Sequence, residues 1–308
     1  MAEKRKRNSN PSGRGVAGNK PAGRGNRADR PQRARSERSG FASAASRGNK
    51  GGYRVPAGTY IEGRRAAAEA LRTGFPVKRA LVAEGQGADP TLARLVDDLY
   101  HANIPVKTVP RAQLDELSSH GAHQGIALEV GSFPYAGLRD IINRAGDGPA
   151  LVVVLDHVTD DGNFGAIVRS AEVVGAAGVV IASKRAAGVT VGSYKTSAGA
   201  VMHLPIVQVP NIARALDELK EAGFWVGGAS EHAEGVCWQS PMQGRLALVM
   251  GSEGDGISRL VLEKCDFLTK LPQLGKTESL NVAQAATALC FEWLRRNSDE
   301  LLSGQAGE

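Results

Sequence analysis

The run Leu151 to Leu155 (LVVVL) is apolar at every position, so the strand it predicts must be buried on both faces. Similar short apolar runs recur at Gly178 to Ala182, Ile206 to Val209, Phe224 to Ala229 and Arg245 to Met250. Helical patterns at about Asn163 to Val174 and Ile212 to Ala222 lie among them. Near-continuous apolar strands separated by helices predict an α/β fold with a parallel sheet covered on both faces. No internal repeat is evident.

A smaller α/β pattern precedes this one. Arg64 to Arg72 reads as a helix with an alanine face, stopped by Gly74 and Pro76. Arg79 to Ala83 reads as a strand, and Pro90 to Ala102 as a helix apolar at Leu92, Leu95, Val96 and Leu99. Further strands at Pro105 to Val109 and Gly125 to Val130 enclose a short helix at Arg111 to Leu117. The expected organisation is a small α/β domain over 58–132, a linker over 133–148 with a short helix at Leu138 to Asp147, a larger domain over 149–297, and a C-terminal tail over 298–308.

The net charge of +6 hides an asymmetry. Residues 1–55 carry 15 of the 38 Lys+Arg against 3 of the 32 acidic residues, a net of +12, which leaves 23 basic and 29 acidic residues, a net of −6, for the remainder. This Arg-, Gly-, Ser- and Pro-rich segment has Phe41 and Tyr53 as its first large hydrophobes and cannot bury enough apolar area to offset ordering entropy. It is expected to be a disordered basic tail suited to transient, salt-dependent contact with phosphates. No apolar run approaches the roughly 18 to 20 residues that span a bilayer. Cys237, Cys265 and Cys290 are far apart, which gives neither a disulfide framework nor a C-x-x-C metal pair, so a cytoplasmic, metal-free protein is expected.

Ligands of open α/β sheets collect at the carboxyl ends of strands, which directs attention to the loops after LVVVL and LALVM. The first runs from Asp156 through Asn163 to Arg169, and the second reads Gly251-Ser252-Glu253-Gly254-Asp255-Gly256-Ile257-Ser258. The glycine order G-x-x-G-x-G on a late strand argues against a dinucleotide fingerprint. Asn163 and Arg169 lie about 600° apart on a helix and share no face. They can converge only if Asn163 sits in the loop or at the helix cap while Arg169 reaches back. His157 reads as structural. A third segment, Leu271-Pro272-Gln273-Leu274-Gly275-Lys276-Thr277-Glu278-Ser279-Leu280-Asn281-Val282-Ala283, leads into a last helix with Val282, Ala286, Leu289 and Trp293 on one face. That face suits a core or a dimer contact.

Together, N-x-G-x-x-x-R, the strand followed by GSEGDGIS, and LPQLGKTESLNVA resemble the three motifs of the SpoU/TrmH branch of the SPOUT methyltransferases. Gly63-Arg64-Arg65-Ala66-Ala67 and His123-Gln124-Gly125-Ile126 resemble the substrate-binding domain of family members that methylate a guanosine ribose in 23S ribosomal RNA, extending the likeness over about 58–297.

The resemblance implies a C-terminal trefoil-knot domain, an obligate homodimer, and 2′-O-methylation of RNA with S-adenosylmethionine as cofactor and no metal. By motif position, Gly251, Leu271 and Leu280 would bind the cofactor. Arg169, Asn163, Glu253, Ser279 and Asn281 would belong to the catalytic centre. Lys195, Ser197 and Gly199 are expected in a loop facing RNA. The RNA is expected to be 23S ribosomal RNA, free or in a pre-ribosomal particle. The alternatives are a transfer-RNA ribose methyltransferase, an antibiotic-resistance ribosomal methyltransferase and a non-catalytic RNA-binding assembly protein.

Overall fold

The computed structural model describes residues 60–85, 89–118, 123–276 and 279–305. The expected basic tail over 1–55 lies outside the described residues, as do Thr277 and Glu278 of the third motif.

The smaller domain comprises β1 (Tyr60–Glu62), α1 (Arg64–Arg72), β2 (Val77–Ala83), α2 (Pro90–His101), β3 (Val106–Val109), α3 (Arg111–Leu117) and β4 (Ile126–Val130). Its sheet runs β1-β4-β2-β3, with β4 antiparallel to both neighbours and β2 parallel to β3. The start of α2 follows from chemistry legible in the chain. Asp89 accepts hydrogen bonds from the main-chain nitrogens of Thr91 and Leu92, and Pro90 occupies the first turn, where its missing N–H costs nothing. Leu92, Leu95 and Leu99 then fall on one buried face.

The larger domain contains α4 (Leu138–Arg144), β5 (Ala150–Leu155), α5 (Asp161–Val173), β6 (Gly178–Ala182), α6 (Val191–Thr196), β7 (Ile206–Val209), α7 (Ile212–Glu221), β8 (Trp225–Ala229), β9 (Arg245–Met250), α8 (Arg259–Leu262), β10 (Phe267–Thr269), α9 (Val282–Arg296) and α10 (Ser298–Gln305). Six parallel strands run β10-β8-β9-β5-β6-β7. The pleat of β5 divides its side chains between two layers. Leu151, Val153 and Leu155 meet Phe164, Ile167, Leu289 and Trp293 on the α5/α9 side. Val152 and Val154 meet Ile141, Leu216 and Leu219 on the α4/α7 side. Each fully buried aliphatic side chain stabilises by about 1.5–3 kcal/mol.

The short helix expected within the linker is α4, which lies on the larger sheet through fully buried Ile141; a Cβ on Gly178 would come 2.4 Å from the Ile141 side chain. Residues 298–305 of the expected C-terminal tail form α10. The segment from Lys195 to Gly199 is not an open loop but the end of α6 and the turn that follows it. Lys195 is exposed, whereas Ser197 is 1% exposed and Gly199 is buried, so close to α1 that a Cβ there would lie 2.6 Å from Glu69 Cγ.

These last contacts join the two domains, which form one compact unit. Val191 of α6 packs in the same cluster as Tyr60, Leu81 and Val109. Tyr194 is fully buried, edge-on to Phe75 at 5.9 Å between ring centroids. Glu69 bridges Arg72, at 2.6 Å, and His203.

Candidate active site

Strand order locates the site. From β5 the chain moves outward through β6 to β7 and then returns to build β8, β9 and β10 on the other side, so β5 and β9 flank the point where the winding direction reverses. The crevice outside the carboxyl ends of such strands is the ordinary ligand position in open α/β sheets.

The glycine loop after β9 folds back on itself. Ser252 N–H donates to Gly256 O at 3.0 Å and Gly256 N–H donates to Ser252 O at 3.1 Å. Gly256 has φ +67°, a conformation glycine adopts without a Cβ penalty. A Cβ on Gly251 would lie 2.1 Å from the Gly256 carbonyl carbon. The first constraint on Gly251 is therefore the return path of its own loop.

On the other side of the switch point, Asp160 rather than Asn163 caps α5. Its carboxylate accepts the Asn163 main-chain N–H at 2.7 Å. Asn163 therefore occupies the first helical turn, and its side-chain amide is free for other partners. Asn163 Nδ2 donates to Glu253 Oε1 at 2.8 Å. Asn281 Nδ2 donates to Asn163 Oδ1 at 2.9 Å and to Glu253 Oε1 at 2.8 Å. Asn281 also caps α9 through Oδ1, which accepts from Ala283 N at 2.9 Å and from Gln284 N at 3.4 Å. One asparagine thus both caps α9 and joins the cluster.

This amide–carboxylate cluster borders a cavity of about 520 Å³. Gly251, Glu253, Leu271, Ser279, Leu280 and Asn281 all line it. Met250, Ile257, Val282 and Leu289 add apolar wall, while Glu231, Glu253 and Asp255 contribute three carboxyl groups against Lys270 and His232. Such a lining suits a ligand with an apolar or aromatic body and a positive charge. Ser230, Glu231 and His232 escaped the sequence reading, although the strand-end rule applied to β8 points to the loop after Ala229.

Arg169 does not line the cavity. Its side chain projects into solvent from α5 and makes no hydrogen bond or ion pair among the described residues. The helical phase that separates it from Asn163 is retained, and the expected reach back towards the strand ends is not seen within one chain. α5 and α9 lie side by side, joined by Ser170 Oγ and Thr287 Oγ1 at 2.6 Å. Their outer surface carries Arg169, Val173, Ala288 and Phe291 exposed, with Val173 at 59% and Phe291 at 45%.

The cysteines offer no nucleophile. Burial pushes the Cys290 thiol up to about 12 and Cys265 up to about 11, so both stay protonated at neutral pH. No group of His, Cys, Asp and Glu suited to a metal ion occurs among the described residues, and no described helix is long and apolar enough to cross a membrane.

Comparison with known proteins follows this geometry. Residues 150–291 match the SpoU rRNA Methylase family, and residues 60–136 match the family described as RNA 2′-O ribose methyltransferase substrate binding. A relative in Staphylococcus aureus (strain MSSA476), assigned to the TrmH family of tRNA/rRNA methyltransferases, is 36% identical over 243 residues, covering 78% of this chain and 97% of the relative. A similarly assigned Bacillus subtilis protein, YacO, is 38% identical over 241 residues, covering 78% and 96%. Among solved structures, the SpoU methyltransferase AviRb from Streptomyces viridochromogenes in complex with the cofactor AdoMet matches with a TM-score of 0.67 and 27% identity, over 77% of this chain and 89% of that one. Two domain matches in the expected order, and relatives aligned over nearly their whole length, agree with the fold and the three converging segments: the chain belongs to the SpoU/TrmH family of RNA methyltransferases.

Proposed function

We propose that the protein is an S-adenosylmethionine-dependent methyltransferase that modifies a ribose 2′-oxygen in RNA, with a guanosine of 23S ribosomal RNA as its target and a cytoplasmic homodimer as its working form. The observation that carries this reading is the meeting of Asn163, Glu253 and Asn281 at the border of a pocket walled by Gly251, Leu271 and Leu280.

The residues fit the cofactor. The cavity of about 520 Å³ suits a nucleoside-sized molecule, its aliphatic walls suit a purine face, and its carboxyl groups complement a sulfonium and an ammonium. When bound, S-adenosylmethionine supplies an electrophilic methyl group on sulfur. Leu271 and Leu280 would hold the adenine, with main-chain groups of their segments available to its polar edge. Glu253 faces positive charge while Asn163 and Asn281 fix its carboxylate. Ser279 meets the substrate side of the pocket. Orientation of two reactants alone supplies several kcal/mol, up to roughly 7–11 kcal/mol in favourable intramolecular cases.

Arg169 serves as an electrostatic clamp. A guanidinium keeps its proton at any physiological pH, so a role as general base for the 2′-hydroxyl is costly. Holding an adjacent phosphate and stabilising the developing alkoxide needs only its charge and its donors. Because Arg169 does not line its own chain's cavity, it acts at the pocket of a second subunit, brought near when the α5/α9 surface pairs with its copy. The exposed Phe291, Val173 and Ala288 support that pairing.

Calorimetry with S-adenosylmethionine, followed by mapping of methyl transfer onto 23S ribosomal RNA and transfer RNA, tests the proposal. Saturable cofactor binding and ribose methylation of 23S RNA are expected. Absence of binding favours a non-catalytic RNA-binding protein, and methylation confined to transfer RNA moves the substrate. Sedimentation of Phe291→Glu should show monomers without activity, and a fully active monomer would refute the shared site.

A further inference from the structure

Asp156 directly follows β5 and is 0% exposed, yet none of the roles above uses it. A buried carboxylate is costly unless its oxygens find partners. Here Oδ2 accepts the main-chain N–H of Ser258 at 2.7 Å, and Oδ1 lies 2.7 Å from His157 Nδ1. The main-chain N–H of Asp156 donates to Met250 O at 2.8 Å.

Met250 and Ser258 are the residues immediately before and after the seven-residue loop Gly251 to Ile257. The residue just beyond β5 therefore grips both ends of that loop, by its backbone at one end and by its side-chain carboxylate at the other. Within the loop, the paired hydrogen bonds between Ser252 and Gly256 leave Glu253 at the tip, where it receives Asn163 and Asn281. His157 stands at φ +62°, an uncommon conformation for a residue with a Cβ, and its ring nitrogen meets the same carboxylate. The turn it makes leads to Val158, whose carbonyl accepts Ala187 N–H at 2.7 Å.

We infer that Asp156 is a positioning residue of the cofactor pocket: its carboxylate pins the glycine loop so that Glu253 is preorganised for the ligand and for Asn163 and Asn281. The inference rests on the cofactor reading above. A pocket already in its binding shape spends less of its interaction energy on ordering, so slack at the Ser258 anchor weakens cofactor binding before it slows chemistry.

The test uses the full chain with three variants. Asp156→Asn is nearly isosteric and keeps an acceptor for Ser258 but loses the charge. Asp156→Ala loses both. Ser258→Pro removes the donor from the opposite end at φ −64°, which proline's ring tolerates. Three quantities are read: calorimetric Kd for S-adenosylhomocysteine, amide hydrogen exchange over 251–258 without ligand, and kcat at saturating cofactor.

Asp156→Asn is expected to raise Kd about three- to tenfold, and the other two variants about thirtyfold, in keeping with the greater strength of bonds to charged groups. All should exchange faster over 251–258, with Kd rising by a larger factor than kcat falls. Should Asp156→Ala fail to fold, Asp156→Asn decides. Unchanged Kd and exchange in Asp156→Asn overturn the inference, as does a fall in kcat at constant Kd. Global unfolding of Asp156→Asn would make the carboxylate a fold element and overturn it too. A wild-type chain that binds no cofactor removes the cofactor reading and this role together, whereas a binding wild type with indifferent variants removes this role alone.

Discussion

Asn281 Nδ2 donates to Asn163 Oδ1 at 2.9 Å, joining residues 118 apart in the chain, while Asn281 Oδ1 caps the helix that Asn281 begins. One amide thus divides its donor and acceptor between the cluster beside the pocket and the start of α9, and a substitution can separate them. Serine caps helices about as well as asparagine but has no Nδ2. Asn281→Ser should stay within about 0.5 kcal/mol of wild-type stability by denaturant titration. Its methyl-transfer activity should fall about tenfold or more, as expected when a preorganised donor is lost. Full activity would mean that the cluster has no catalytic use.

Gly251→Ala introduces a Cβ where the Gly256 carbonyl carbon already stands, at 2.1 Å. The obstacle is backbone, so the loop must open. We expect destabilisation of about 1–3 kcal/mol, typical of overpacking, together with a clear loss of cofactor affinity by calorimetry. Wild-type affinity in this variant would show that loop shape is not what the pocket depends on.

Arg169 is exposed and without polar partners among the described residues, so Arg169→Ala should leave stability within about 0.5 kcal/mol. Turnover should be lost while cofactor Kd stays near wild type. Lysine carries the charge without the planar fork, so Arg169→Lys should remain severely impaired if the contact is bidentate. A lysine variant with most of the activity would reduce the role to a point charge.

Glu292 is 8% exposed and is bonded to Arg295 at 2.8 Å and Arg296 at 2.9 Å. Its carboxyl is held below the usual glutamate range, first by the hydrogen bond from Arg295 and then by Arg296. A lowered native pKa contributes stability that is complete above the unfolded-state value of about 4.3 and disappears as pH falls through the lowered native value. Glu292→Gln should lose about 1–2 kcal/mol at pH 7, discounted because Arg295 is largely exposed, and should converge with wild type in acid. Parallel stability curves across that range would refute the linkage.

Removing residues 1–50 should weaken RNA affinity and flatten its dependence on salt, because fewer Lys and Arg neutralise phosphates. Filter binding at several salt concentrations reads both. Equal affinity at low salt would make the basic segment irrelevant to RNA.

The sequence by itself determined what depends on neighbours along the chain. Continuous apolarity in LVVVL and LALVM required strands covered on both faces, and the spacing of Leu92, Leu95 and Leu99 required one buried helical face. The three motifs with their glycines, amides and arginine were likewise legible, because residue type and short spacing carry that information. Tertiary structure alone decided that β9 inserts between β5 and β8, which brings Glu253 to Asn163 and Asn281 and leaves Arg169 on an outer face. It also decided that Asp156 reaches Ser258, and that Ser197 and Gly199 are buried near the smaller domain. Strand order, and the hydrogen bonds that close a loop, arise from contacts between residues tens to more than a hundred positions apart, and no local periodicity encodes such pairings.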